Sequence, residues 1–324
     1  MAPAPRPLLE RELLVVTGKG GVGKTTVAAG MALLAARQGK RVLVCEVDAK
    51  GTLAEALEAP PLAFVAQPVD VAVPPPGGVW AMAMDTEESL REYLGIHLRV
   101  PIVARIGPLA RTLDFVASAA PGVKEILTIG KLAYEVRERH YDLVVVDAAA
   151  TGHIVGQLAA PQAINDLVQV GLVREQTRWM LDILADPART GLVIVTTPEE
   201  MPVDETIDLA GRVGRETPVQ LAAVVVNRVL PELFGRGEEE TFGHLRSGEA
   251  LRALEDLAGP GAATVLDAAE LAVTLRRSGA AHLAELQSAL PPGVGTVFVP
   301  EMFARLRGTR ATSMVADALG EELG

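Results

Sequence analysis

The sequence predicts an α/β protein with a doubly wound, mostly parallel sheet and an inserted helical subdomain. Two observations lead there. Seven short apolar runs, at 13–16, 41–47, 79–84, 142–147, 191–197, 221–227 and 295–299, alternate with helical patterns. The first of them enters a glycine-rich turn, Gly18-Lys19-Gly20-Gly21-Val22-Gly23-Lys24-Thr25-Thr26, that opens directly into a helical pattern from Val27. The turn occurs once, and the chain has no fixed-period repeat.

Strand, glycine-rich turn and helix is the context in which G-x-x-x-x-G-K-[ST] binds phosphate. Glycines let the backbone turn its N–H groups inward around phosphate oxygens. The helix adds the positive end of its dipole. Lys24 can reach the outer phosphates and the Thr25 hydroxyl can ligate Mg²⁺, so bound phosphates with Mg²⁺ are expected at this loop. The expected nucleotide contacts in the loop are Gly20, Gly21, Val22, Gly23, Lys24, Thr25 and Thr26. Lys19 sits too early to duplicate Lys24. It is either a solvated lysine or one that reaches a phosphate held by a neighbouring subunit.

The first helix should stop near Gly39. Arg41–Val47 then has the pattern of a buried parallel strand ending at Asp48. Ligands gather at the carboxyl ends of strands in open α/β sheets, so Asp48 is placed to orient or deprotonate a water. The alternative is an Asp that caps the following segment. Residues 58–78, rich in Pro, Ala and Gly, are expected to form a loop. Asp85 to His140 is expected to be mainly helical, with breaks near Gly95, Pro101, Gly107-Pro108 and Pro121-Gly122. Its apolar residues, dense from Leu90 to Val116, exceed one amphipathic stripe; some could line a groove for an apolar ligand.

The strand 142–147 closes on a second carboxylate, Asp147, the position that supplies a Mg²⁺ contact through water in phosphate-loop enzymes. Thr151-Gly152-His153 is expected as a flexible polar turn able to respond to a γ-phosphate, with His153 by itself more ordinary as a structural histidine. Val155 to Asp186 has a helical pattern interrupted at Pro161 and Gly171. Further helices are expected at about 203–215, 237–258, 266–289 and 310–323. The last strand ends at Pro300. The expected division is a lead over 1–11, a nucleotide-binding core over 12–84, 141–154 and 190–324, and a helical client or partner subdomain over 85–140 and 155–189.

The composition narrows the classes. Of 324 residues, 49% are hydrophobic, enough for a sizeable core, but only 3% are aromatic, which disfavours a base-stacking platform. The net charge of −11 opposes a nucleic-acid or anionic-membrane surface. One cysteine, Cys45, within an apolar run, excludes an intrachain disulfide or a Cys-rich metal site. No run approaches the ~18 apolar residues of a membrane span, and 1–7 lacks the apolar core of a signal peptide. A cytoplasmic protein is the expectation.

These motifs together resemble the arsenite-pump (ArsA-type) and tail-anchored-protein-targeting ATPases, phosphate-loop NTPases of the SIMIBI type with a deviant Walker A loop. The resemblance is carried by the loop with Lys19, by the Asp48 strand end and by Asp147-x-x-x-Thr151-Gly152-His153. Pro121-Gly122-Val123-Lys124-Glu125, Val195-Thr196-Thr197-Pro198-Glu199 and Val224-Val225-Val226-Asn227 add to it. It implies that Lys24 binds phosphates, Thr25 ligates Mg²⁺ and Asp147 supports the metal. Asp48 would polarise water, Asn227 would hydrogen-bond adenine, Pro300 would be among the nucleotide contacts, and Lys19 would cross a dimer interface. It also implies a protein, apolar or anionic client, and a homodimer or a heterodimer with a paralogue.

The chain departs from that pattern in its first switch, Asp48-Ala49-Lys50-Gly51-Thr52 where the family has D-P-A-H-S, and in Ala150 where a proline is usual. The arsenite-binding cysteine triad and the C-x-x-C zinc clasp are absent. A lone cysteine excludes a nitrogenase-reductase-like role. Two other functions fit the loop: a nucleotide-gated scaffold with little turnover, and a partition or septum-placement ATPase, which the acidic charge and non-basic terminal helix oppose.

Overall fold

A computed structural model describes residues 7–48, 50–97, 122–168, 170–235, 237–246, 248–303 and 307–323. The breaks expected at Pro101, Gly107-Pro108 and Pro121, and the apolar residues from Leu98 to Val116, lie outside the described residues.

Eight strands form one sheet: β1 Leu13–Gly18, β2 Arg41–Glu46, β3 Gln67–Val69, β4 Gly78–Ala83, β5 Leu143–Asp147, β6 Thr190–Thr196, β7 Leu221–Val229 and β8 Gly295–Pro300. Their spatial order is β3-β4-β2-β5-β1-β6-β7-β8. Every pairing is parallel except β3 with β4. The fold class is therefore as the sequence predicts. The short β3 corrects the expectation of a plain loop over 58–78: Pro68 has no N–H to donate, and a proline is tolerated in an edge strand.

The helices are α1 Lys24–Arg37, α2 Thr52–Leu57, α3 Thr86–His97, α4 Val123–Arg137, α5 Thr151–Leu167, α6 Leu172–Leu184 and α7 Glu200–Glu216, followed by α8 Glu238–Leu245, α9 Gly248–Ala258, α10 Ala262–Ala289 and α11 Gly308–Leu323. Strand side chains alternate between two cores. Leu14, Val16, Val44, Val145 and Val195 pack with α1, α2 and α11. Leu13, Val15, Leu43, Val144 and Ile194 pack with α4 to α7. α1 is buried on every side from Val27 to Ala36, because α11 covers the face that the sheet does not. Gly30 permits that approach: a Cβ there would lie 2.8 Å from Val315 Cγ1.

On the opposite face α3 packs on α4, and α4 on α5 and α6. Ile129, Leu132, Ile154, Leu158 and Ile183 continue into the same core as the sheet. Leu90, Ile126, Lys131, Tyr134, Trp179 and Met180 line a mostly apolar cavity of about 280 Å³ between α3, α4 and α6. Two expectations are corrected. Pro161 lies inside α5 and does not interrupt it. Thr151-Gly152-His153 is the first turn of α5, not a separate flexible turn, since Ala150 in an extended conformation already serves as its N-cap.

Candidate functional site

The carboxyl ends of β1, β2 and β5 converge on the loop between β1 and α1. β1 ends at Gly18, where φ is +149°; a Cβ would lie 2.1 Å from the Val195 carbonyl of β6, so only glycine fits. Gly21 and Gly23 also have positive φ, at 89° and 94°, and Gly23 is the N-cap of α1. A Cβ on Gly20 or Gly21 would meet no atom within 4 Å, so nothing packs against the loop in that direction. A glycine-rich loop with left-handed residues that ends at a helix N-terminus is the setting for a phosphate cradle.

Lys24 arches back over this loop, its Nζ donating to the Lys19 carbonyl at 3.3 Å. Burial holds its ammonium below the ordinary lysine range, and the negative charge of Asp147 partly offsets this. The Thr25 hydroxyl donates to Asp147 Oδ2 at 2.6 Å. Burial pushes Asp147 up to about 6, against the opposing pull of Thr25 and Lys24. The strand ends thus bring Lys24, Thr25 and Asp147 together. Among the described residues, no group of three or more His, Cys, Asp or Glu could hold a metal. The donors present are a hydroxyl and a carboxylate, all oxygen, and these suit Mg²⁺ completed by phosphate and water. The chemistry of the site therefore fits Mg²⁺ and a nucleotide.

The second carboxylate strand ends differently. β2 stops at Glu46, two residues before Asp48. Asp48 is exposed and pairs with Lys50 at 3.2 Å. Glu46 is buried. Its Oε1 accepts from Thr52 N at 2.9 Å, Thr52 Oγ1 at 2.8 Å and Leu53 N at 3.3 Å, and its Oε2 from Gly51 N at 3.1 Å. Sequence reasoning missed this residue and the short α2 it anchors. The signal was a buried-strand carboxylate five to seven residues before a helix start, at a spacing no local capping pattern contains.

Lys19 does not point to open solvent: its Nζ pairs with Glu205 of α7 at 2.6 Å. Glu205 also accepts from Thr151 Oγ1 at 3.2 Å, so one carboxylate joins the loop to the first turn of α5. His153 in that turn is exposed. Asn227, at 8% exposure, donates from Nδ2 to the Val22 carbonyl at 2.9 Å, while its Oδ1 accepts from Arg228 N. The amide expected at adenine thus braces the phosphate loop from β7. Val22 is buried, and Pro300, at the end of β8, is exposed. Cys45 is fully buried, and burial holds its thiol far above the ordinary range.

The model of the family described as "Anion-transporting ATPase" matches residues 11–173 and 167–242. The chain belongs to this ArsA-type ATPase family. Among its relatives is ATPase BagA of Mycobacterium tuberculosis, 34% identical over 227 residues, covering 68% of this chain and 65% of that protein. The arsenical pump-driving ATPase of Acidiphilium multivorum is 29% identical over 242 residues, 68% of this chain and 40% of that protein. The ATPase ASNA1 homolog of Entamoeba dispar is 24% identical over 253 residues, 67% of this chain and 76% of that protein. The match to BagA thus spans just under two thirds of that relative's length. The glycine loop, the strand ends at Asp48 and Asp147, and Asn227 all fall within the matched part of the family, whereas Pro300 falls beyond it.

Proposed function

We propose that the protein is a Mg²⁺·ATP-dependent ATPase switch that works as a dimer, with itself or with a paralogue. Hydrolysis to ADP and phosphate would bind or release a protein, apolar or anionic client. The observation that carries this is the glycine loop with Lys24, Thr25 and Asp147 brought together at its end. The loop and Lys24 would hold the phosphates. Thr25 would ligate Mg²⁺, with Asp147 holding a metal-bound water. The metal, when bound, neutralises charge that develops on the transferred phosphoryl group.

Asp48 would orient the attacking water and accept its proton, after leaving Lys50. Asn227 and Pro300 would lie at the adenine. Lys19 would leave Glu205 and reach the partner's nucleotide, and the release of Glu205 would transmit the change to Thr151 and α5. The cavity between α3, α4 and α6 supports an apolar client or segment on that face. No helix among the described residues is long and apolar enough to cross a membrane. A cytoplasmic location is in keeping with this proposal.

ATP turnover tests the proposal: both Lys24→Ala and Asp48→Asn should abolish it, and turnover surviving both would refute the assignment. Lys19→Ala separates the dimer role, because unchanged dimerisation and turnover would leave Lys19 a surface lysine. A nucleotide-gated scaffold is favoured by one observation, the exposed Asp48 paired with Lys50. Tight ATP binding without phosphate release in a single turnover would select it.

A further inference from the structure

We propose that Thr52 supplies a second protein hydroxyl to the metal–phosphate site, held there by the buried carboxylate of Glu46. The proposal rests on the Mg²⁺·ATP assignment above and concerns a residue outside the loop and the two Asp-bearing positions.

A threonine hydroxyl has one proton and two lone pairs. In Thr25 the proton goes to Asp147, at 2.6 Å. In Thr52 it goes to Glu46, at 2.8 Å. Both acceptors are buried carboxylates. The two hydroxyl oxygens lie 3.4 Å apart. Either hydroxyl could donate to the other at that distance, but the shorter bonds to the two carboxylates compete for both protons and turn lone-pair faces towards each other. Such an arrangement is unfavourable alone and becomes favourable around a cation.

The spacing suits one. Two neighbouring oxygens on an octahedral Mg²⁺ with bonds of about 2.1 Å lie about 3.0 Å apart. Thr25 is the loop residue that would hold the metal, and the Thr52 oxygen beside it would need only a small adjustment to join it. Capping of α2 does not explain the geometry. Glu46 satisfies the backbone N–H groups of Gly51, Thr52 and Leu53 without any help from the Thr52 side chain. What Glu46 adds by also taking the hydroxyl proton is a fixed direction for the free lone pairs. The same carboxylate that fixes the backbone of the first switch thus turns its one hydroxyl towards the loop. Thr52 itself is exposed, leaving that oxygen open to a ligand.

The test uses the full chain with Mn²⁺ as an EPR-visible probe and a non-hydrolysable ATP analogue. Wild type, Thr52→Val and Thr52→Ser are compared for Mn²⁺ affinity of the nucleotide complex, and for nucleotide affinity in EDTA. Thr52→Val also takes one of four donors from the buried Glu46 carboxylate and should lower the melting temperature slightly, so the affinities are compared at a temperature where every variant is folded. Thr52→Val is expected to weaken Mn²⁺ about tenfold while nucleotide affinity in EDTA stays as in wild type, and serine is expected to restore Mn²⁺ binding to within about twofold. Wild-type Mn²⁺ affinity in Thr52→Val would overturn the proposal, leaving Thr52 a helix-end residue. Failure of the wild type to bind the analogue with or without Mn²⁺ would instead overturn the nucleotide assignment itself.

Discussion

The ends of β5 and β2 carry the two acidic groups of the site, and they are built in opposite ways. At β5, Asp147 is the last strand residue, is buried, and already touches the loop through Thr25. At β2, the last strand residue is a different carboxylate, Glu46, and Asp48 lies beyond it in solvent with Lys50. The difference suits the two tasks proposed for these groups. A group that holds a resident metal benefits from being fixed beforehand, even when burial disfavours its charge. A group that must meet an attacking water only when the site is charged with nucleotide belongs on a segment able to close.

Four substitutions would break or sharpen this contrast. Asp48→Asn should have the largest effect, a fall in turnover of about 100-fold or more with ATP affinity nearly unchanged; a rapid phosphate-release assay beside a binding titration reads both. Asp147→Asn should instead weaken Mg²⁺ in the nucleotide complex by about 10- to 100-fold, read by calorimetry. The same change should stabilise the metal-free protein. Because the folded carboxyl is raised from 3.8 to about 6, the native state binds more protons across that interval and loses stability as pH rises through it. The cost is fully present above about pH 6 and amounts to on the order of 3 kcal/mol, so Asp147→Asn should raise the neutral-pH melting temperature and have no such benefit near pH 4. Metal binding by the wild type should correspondingly weaken below about pH 6.

Glu46→Ala removes the acceptor for three backbone N–H groups and one hydroxyl. It should destabilise the protein by about 2–3 kcal/mol in chemical denaturation, a loss of stability that Asp48→Asn, at an exposed position, should not share. Lys50→Ala should have the smallest effect. Its pair with Asp48 is largely solvated, so stability should change by less than about 0.5 kcal/mol.

What was legible in the sequence follows the range of the interactions. The β1–loop–α1 unit and the Asp147 strand end are written in adjacent residues, because glycine conformation and apolar runs act locally. The Lys19–Glu205 pair, the Asn227 bond to Val22 and the role of Glu46 depend on which strands and helices become neighbours. No window of the chain contains both partners of the first two. β3 escaped notice because a three-residue strand bearing Pro68 has too little pattern to rise above its surroundings. The Thr151 turn looked flexible because glycine and histidine are weak helix formers, yet the tertiary setting carries α5 through them.

The bond from Asn227 to the Val22 carbonyl joins residues 205 positions apart. A contact of that separation closes late in folding, after the intervening chain has been organised. The loop's binding shape is therefore a property of the finished sheet, not of the segment that encodes it. A chain still emerging from the ribosome with β7 unmade would carry the glycine motif but lack its brace.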